Sequence, residues 1–563
     1  MSLPAMSRIQ LLRNWLTNHR PRLSIESVTL LSCIWFSLFC NHAFWRVALH
    51  VHPDGVIWPI SLFCILLAAN ASLLSLLLWQ WNSKVLLSVL FITTALVVHF
   101  IDAFGIYINV DMIQNVLHTD SKESHELISL ALLKPMALYA LVPIVFIWWN
   151  IFPQRSVLKT WLLKVCFFAG TLFLGIIGAA LSSNNFATLA RNHREVRFLA
   201  TPFNFITALT KAIKTDVPRA EQPRIPIGQD AVATPHPPGS RPTLFVIVVG
   251  ETARAKNWGL DNYTRQTTPL LAHTDGVINF SDAHSCGTNT EISVPCMFSP
   301  YGRHDYNQNQ IRAHQSLLHV LEYAHITTLW RDNQSGCKGV CDGLPLQRLD
   351  NLTVKPLCAN GRCYDAILLD DFARQVRAKP GDRVIVLHQL GSHGPNYFER
   401  YPPAFQHFTP TCDTGDFGNC GNQALVNSYD NTLYYTDYFL SQVIATLKTM
   451  TDYNTLMFYA SDHGESLGEN GIYLHGMPYA IAPKEQTSIP MLFWFSPQFI
   501  KARGIDIACV QQRAKQYIDH DTLFPTVLSL MQVKTSLYDP KYDALARCYT
   551  APFDAAPKDQ TKH

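Results

Sequence analysis

The chain has 563 residues, of which 48% are hydrophobic and only 15% charged, with a net charge of +3 and a mean hydropathy of +0.06. So few charges exclude a wholly soluble enzyme, for which about 25% is usual, and the 11% of aromatic residues excludes a disordered scaffold. A charge of +3 leaves no electrostatic footprint for nucleic acid.

The charge deficit is local. Ile25–Ser182 holds 14 Asp, Glu, Lys and Arg in 158 residues, whereas the remainder has the composition of a polar globular domain with a full core. Five apolar stretches reach the roughly 20 residues that a membrane span requires: Val28–Leu49, Val56–Gln80, Val85–Tyr107, Leu127–Phe152 and Leu162–Ser182. The first begins late and is followed by further spans, unlike a cleaved signal peptide. Arg8, Arg13, Arg20, Arg22, Lys84, Arg155 and Lys159 fall on one side of this pattern, and Arg46 and Lys122 on the other. That bias places the N-terminus in the cytoplasm and, with five spans, everything after Ser182 outside it.

Asn184–Thr215 carries Phe186, Leu189, Phe198, Phe203, Phe205, Ile206 and Leu209 among basic residues. It reads as one or two amphipathic helices, lying on the membrane or packed on protein. Asp216–Pro242 has seven prolines in 27 residues and reads as an extended linker. The expected organisation is therefore a membrane domain over residues 1–182, helices and linker over 183–242, and a soluble domain over 243–563.

In the soluble domain short apolar runs end in polar clusters. Leu244–Val249 leads to Glu251, Val384–Leu387 to His388 and His393, and Leu456–Ala460 to Asp462 and His463; Met491–Phe495 is a fourth run. Val426, Tyr429, Leu433, Leu440, Val443, Ile444 and Leu447 have helical spacing between them. Strands alternating with helices imply an α/β fold with a mostly parallel sheet, whose sites gather beyond the carboxyl ends of the strands. Glu251, His393, Asp462, His463 and His475 are oxygen and nitrogen donors suited to zinc.

Ten of the 14 cysteines lie in the polar part. Cys286 with Cys296, Cys337 with Cys341, Cys358 with Cys363, and Cys412 with Cys420 are closely spaced; Cys509 and Cys548 remain and can pair. This spacing predicts disulfides in an oxidising compartment, in agreement with the topology, and lacks the paired CxxC of a zinc ribbon. The segment SDAHSCGTNTEISVPCMFS over 281–299 offers a nucleophile at a helix N-terminus, where free amides favour a phosphate. Thr288 and Thr290 are both candidates, with Ser285 behind them. Zinc coordination would make an alkoxide accessible at neutral pH; helix capping is the alternative use of all three.

Five spans followed by GETAR, SCGTNT-x5-CMFS, WRDN, H-x4-HGP and SDHGESLGENGIYLHG resemble the bacterial phosphoethanolamine transferases, which modify lipid A and are related to the mobile colistin-resistance enzymes. The resemblance covers nearly the whole chain. It implies a five-helix transmembrane domain joined to an alkaline phosphatase/sulfatase-like domain. It implies a zinc site of Glu251, Thr290, Asp462 and His463, with Thr290 as nucleophile. His393 and His475 match positions near the transferred phosphate that serve a second zinc or a proton relay, and Lys338 matches a substrate-binding residue. Asn115, Thr119 and Glu123, between the third and fourth spans, match donor head-group contacts, with helix capping as the plain alternative.

The implied activity moves phosphoethanolamine from phosphatidylethanolamine to lipid A or a related glycolipid. The implied setting is a monomer in the bacterial inner membrane with its catalytic domain in the periplasm. The product carries less negative charge, which weakens binding of cationic peptides such as polymyxin. Two rival readings on the same fold are transfer to a core sugar or other glycan and phosphoglycerol transfer from phosphatidylglycerol. A sulfatase would need C-x-P-x-R, and Cys296-Met297-Phe298 has no proline there. A non-catalytic ectodomain would use the strand-end residues structurally.

Overall fold

The computed structural model describes residues 19–51, 55–118, 121–216, 223–359, 361–551 and 553. They divide into two compact units, one drawn from Met1–Ile113 and Ile128–Lys211, the other from Gln114–Leu127 and Ala212–His563.

In the first unit, helices Ile57–Leu77, Ser83–Phe104, Leu130–Trp149 and Val157–Leu181 are each long and apolar enough to cross a membrane. The single span expected over Val28–Leu49 is instead a pair of helices, Ile25–Phe39 and His42–His50, bent by 61°. Asn41 accounts for the break. Its amide donates to the Phe36 carbonyl at 2.8 Å and the Thr201 carbonyl at 2.7 Å, and its Oδ1 accepts from the Thr201 N–H at 2.8 Å. Backbone groups freed by the bend are thus satisfied inside the protein, which an apolar setting demands. Helix Ser83–Phe104 stops at Gly105, whose φ of 68° is the left-handed cap that glycine adopts without strain.

The fourth span is composite: a π-helical stretch Met136–Leu141 precedes Val142–Trp149, and Pro143, with no N–H to give the preceding turn, sits where they join. Helix Val157–Leu181 packs closely on Ile57–Leu77, since a Cβ on Gly178 would lie 2.9 Å from the Cys64 Cβ. The stretch expected to be amphipathic forms Ser183–Asn192, a 3-10 turn Arg194–Leu199 and Phe203–Asp216. Its Leu189, Val196, Leu199 and Phe205 join the buried core of this unit.

The second unit is built on one eight-stranded sheet. Its strands are β1 (Thr243–Gly250), β2 (Val277–His284), β3 (Thr327–Asp332), β4 (Leu346–Arg348), β5 (Arg383–His388), β6 (Asn454–Ser461), β7 (Ser488–Phe495) and β8 (Ile518–Asp519). They lie in the order β8-β2-β7-β6-β1-β5-β3-β4. Only β7 runs antiparallel to its neighbours; all other pairings are parallel. β1, β5 and β6 are buried along their whole length, as in parallel sheets covered on both faces. The helix Asn422–Thr449 buries Tyr429, Leu433, Leu440, Val443, Ile444 and Leu447 of the residues with helical spacing, and leaves Val426 half-buried.

The proline-rich stretch is tied to this unit. Arg224 pairs with Asp342 at 2.8 Å, Ile225 bridges His314, and Val232–Ala233 pairs with Val533–Lys534. Five disulfides join Cys286 to Cys296, Cys337 to Cys341, Cys358 to Cys363, Cys412 to Cys420, and Cys509 to Cys548. Cys33, Cys40, Cys64 and Cys166 are free thiols of the first unit, three of them on helices and Cys40 in the break after Phe39.

Candidate active site

β1 and β6 are neighbours in register, Gly250 opposite Ser461, so the residues just past their ends, Glu251 and Asp462, emerge side by side. The Asp462 N–H donates to the Gly250 carbonyl at 2.8 Å, which fixes that placement. Glu251, Asp462 and His463 are fully buried, and one donor atom from each lies within 4.8 Å of the others. Asp462 Oδ1 accepts from the Thr252 N–H at 3.2 Å and the His463 N–H at 2.7 Å, while Oδ2 has no hydrogen-bond partner. His463 Nδ1 lies 3.0 Å from the Gly464 carbonyl and so carries the proton, leaving the Nε2 lone pair turned inward, 3.4 Å from Glu251 Oε1 and from Asp462 Oδ2.

Burial, and then the charge of Asp462 alongside, pushes the Glu251 carboxyl well above its usual range. Two converging carboxylates, one orphaned oxygen and an imidazole lone pair form a donor set that a divalent cation would satisfy.

Thr290 opens the helix Thr290–Met297, and the Asn289 side chain caps it by accepting from the Ile292 N–H at 3.0 Å. The structure separates the three candidate hydroxyls. Thr290 Oγ1 lies 3.0 and 3.2 Å from the two Glu251 oxygens and 3.3 Å from His463 Nε2. Thr288 Oγ1 instead donates to the Met477 carbonyl at 2.6 Å, and Ser285 Oγ to the Gly287 carbonyl at 2.6 Å. Gly287 is demanded by this turn, because a Cβ there would meet Ile292 Cγ2 at 2.7 Å. The Cys286–Cys296 bond closes the turn onto the helix.

Beside the trio stand two more histidines. The His475 ring lies 4.5 Å from that of His463 and 5.4 Å from that of His393. His475 Nδ1 pairs with Glu465 Oε2 at 2.8 Å, and Glu465 Oε1 accepts from the Tyr397 hydroxyl at 2.5 Å. Burial, followed by His475 and Arg400 nearby, holds His393 well below the usual histidine range, so it is neutral at pH 7. Its carbonyl accepts from Arg400 Nε at 2.7 Å.

Lys338 adopts a left-handed backbone (φ 49°), and its Nζ lies 3.7 Å from Glu291 Oε2. Glu291, next to Thr290, also pairs with Arg312 at 2.6 Å and His118 at 2.9 Å. Burial alone would raise this carboxyl; His118, Arg312 and Lys338 together hold it below the usual range. His118 belongs to the segment Gln114–Leu127, which lies within the second unit. Gln114 accepts from Gln308 at 2.9 Å, Lys122 donates to the Asp350 carbonyl at 2.8 Å, and Glu126 pairs with both Arg362 and Arg400. Asn115 is half-buried on the helix Val110–His118; Thr119 and the Glu123 side chain lie outside the described residues.

Sequence reasoning did not single out the partners of these groups. Glu465 sits within a quoted motif, and its distance from His475 was the available signal. Asp332 and His388 form a fully buried pair at 2.8 Å at the ends of β3 and β5. His520 had no signal at all: it is one histidine after a two-residue strand.

A phosphoethanolamine transferase EptA/EptB model matches residues 66–217, and a sulfatase model matches residues 243–533. Phosphoethanolamine transferase EptA of Escherichia coli (strain K12) is 38% identical over 537 residues, covering 94% of this chain and 98% of its own. Phosphatidylethanolamine transferase Mcr-1 of Escherichia coli is 35% identical, covering 89% of this chain and 93% of its own. Among solved structures, the integral membrane lipooligosaccharide phosphoethanolamine transferase A of Neisseria meningitidis superposes with a TM-score of 0.90 at 37% identity, covering 94% of this chain and all of that one.

Proposed function

This chain belongs to the phosphoethanolamine transferase family, and from that premise we propose that it works by a ping-pong transfer through Thr290, with phosphatidylethanolamine as donor. The observation that carries the reading is the Thr290 hydroxyl, 3.0 to 3.3 Å from the Glu251 carboxylate and His463 Nε2, while its rivals Thr288 and Ser285 are spent on carbonyls.

Thr290 Oγ attacks the phosphorus; the new oxygen–phosphorus bond forms as the bond to diacylglycerol breaks. The hydroxyl's proton is drawn towards Glu251, to which it is already hydrogen-bonded. The departing diacylglycerol oxygen takes a proton from His475, whose Nδ1 is hydrogen-bonded to Glu465 Oε2. An oxygen of the acceptor then attacks the phosphoethanolamine-threonine; the bond from phosphorus to Thr290 Oγ breaks and the oxygen takes its proton back from Glu251, while neutral His393 accepts the acceptor's proton and passes it to His475, its ring 5.4 Å away. Glu251, Asp462, His463 and Thr290 would hold a zinc ion, which supplies Lewis-acid stabilisation of the phosphoryl charge when bound. Lys338 would meet the donor phosphate once released from Glu291, and Asn115, Thr119 and Glu123 would contact the head group.

The acceptor we favour is a lipid A phosphate. The support is the meningococcal relative, whose name gives it a lipooligosaccharide substrate. The basic-residue bias and the five disulfides support an inner-membrane protein with a cytoplasmic N-terminus and its second unit in the periplasm. The test is peptide mass spectrometry of zinc-loaded protein exposed to phosphatidylethanolamine, with phosphatidylglycerol and Thr290→Ala alongside. Phosphoethanolamine on Thr290, absent in the variant, is expected. An adduct on Thr288, or a glycerophosphoryl adduct, would overturn the assignment of nucleophile or donor.

A further inference from the structure

His520 lies immediately after β8, in the 3-10 turn His520–Thr522, and is 1% exposed. Among the described residues no hydrogen bond joins its ring to the side chains of the four proposed metal ligands; the ring spans the gap between the two pieces of backbone that carry them. Nδ1 accepts from the Cys286 N–H at 3.1 Å, and Nε2 donates to the Ser461 carbonyl at 2.9 Å. Both partners are main chain, and they have opposite polarity. A neutral imidazole with its proton on Nε2 is the one form that satisfies both. Burial, which pushes the ring down to about 4, keeps it in that form.

Cys286 begins the turn that delivers Thr290, and Ser461 directly precedes Asp462. A second link runs parallel to the first: Ser293 Oγ, on the Thr290 helix, donates to the Asp462 carbonyl and lies 3.5 Å from His520 Nδ1. The next residue secures the far side of the same helix. Asp521 accepts from the N–H groups of Arg303 and His304, at 2.8 Å for the latter. His520 and Asp521 thus clasp the chain before and after the helix that bears the nucleophile.

We infer that His520 is a positioning residue: it sets the distance between the Thr290 turn and the strand end bearing Asp462 and His463, and so governs turnover rather than donor binding. This rests on the reading of Thr290 as nucleophile. Misplacing a reacting group by about 1 Å can cost roughly 100-fold in rate, and one rigid ring spanning two backbones is suited to prevent it.

The experiment uses full-length, zinc-loaded enzyme in detergent, with diacylglycerol release as the readout. His520→Asn places an amide oxygen where Nδ1 was, keeping the bond from Cys286 and abandoning Ser461. His520→Gln reaches towards Ser461 with an amide N–H and abandons Cys286. Both variants retain a polar side chain in the site, so the test does not depend on His520→Ala folding. Each variant opens the bridge at one end, so we expect both to lose roughly 10- to 100-fold in kcat. KM, zinc content and Tm should match wild type in both. Wild-type kcat in either variant, a loss confined to KM, or a loss that follows Tm would overturn the proposal. Thr290→Ala is run alongside: full activity there would instead bring down the nucleophile assignment.

Discussion

The inner trio and the groups around it are held in different ways. Glu251, Asp462 and His463 are placed by main chain, at the ends of two adjacent strands locked by Gly250 and Ser461. His475, Lys338 and the segment Gln114–Leu127 are placed by side chains pairing with side chains: His475 on Glu465, Lys338 on Glu291, Glu126 on Arg362 and Arg400. Backbone placement gives a constellation whose spacing survives turnover. Side-chain placement gives groups that can change partners, as the proposed ping-pong transfer requires of a site that takes two lipids in turn.

This contrast can be broken most directly at its centre. Thr290→Ala should abolish transfer by about 10⁴-fold or more in kcat while leaving Tm near wild type; steady-state diacylglycerol release checks it, and residual turnover above one part in 10³ would mean that the hydroxyl is not the nucleophile. One shell out, Glu465→Gln removes the charge behind His475, and kcat should fall by about 10²–10³-fold with KM changed little. If that variant instead loses donor affinity, the outer histidines bind rather than move protons.

A smaller effect appears in stability. The unfolded chain takes up a proton on His520 near the ordinary histidine value of about 6.5, but the folded chain only near 4. Below about 6.5 the unfolded state therefore binds more protons. Stability present at neutral pH is lost as the pH falls towards 4, by roughly 3 kcal/mol in all. Tm followed against pH should show this acid arm in wild type and a flatter one in His520→Asn. The mildest expected change is at the outer ties. Glu126→Gln weakens two arginine pairs without emptying the space, and activity should fall only about three- to tenfold, since a charge-assisted hydrogen bond of this kind contributes roughly 1.5 kcal/mol. A loss as large as that of Glu465→Gln would erase the distinction between the two regions.

What the sequence revealed follows the same line. β1, β5, β6 and β7 were legible because strands covered on both faces are unbroken apolar runs, and the proposed ligands that follow β1 and β6 were legible by position. β2 was not, because Val277–His284 mixes buried and partly exposed residues and carries Ser281 and Asp282 in its second half. The choice between Thr288 and Thr290 depended on the Met477 carbonyl, 189 residues away, and no local pattern carries that information. The bend in the first span was hidden for a similar reason: Asn41 resembles a tolerated polar residue until Thr201, 160 residues on, supplies its partner. Family likeness supplied the roles of His393, His475 and Lys338, which spacing alone left open.

The carboxylate of Glu126 has a consequence for anyone who cuts the chain. A soluble fragment that starts beyond the last apolar helix retains the sheet, the five cross-links and the trio, yet leaves Glu126 behind. Arg400, whose side chain is fully buried, and Arg362, nearly so, would then face each other without their counter-ion. Such a fragment is altered at the arginine that holds the His393 carbonyl, and the gap is one that sulfate, chloride or phosphate from a buffer would fill. Inhibition constants measured on it for anionic compounds would report the vacancy as much as the enzyme.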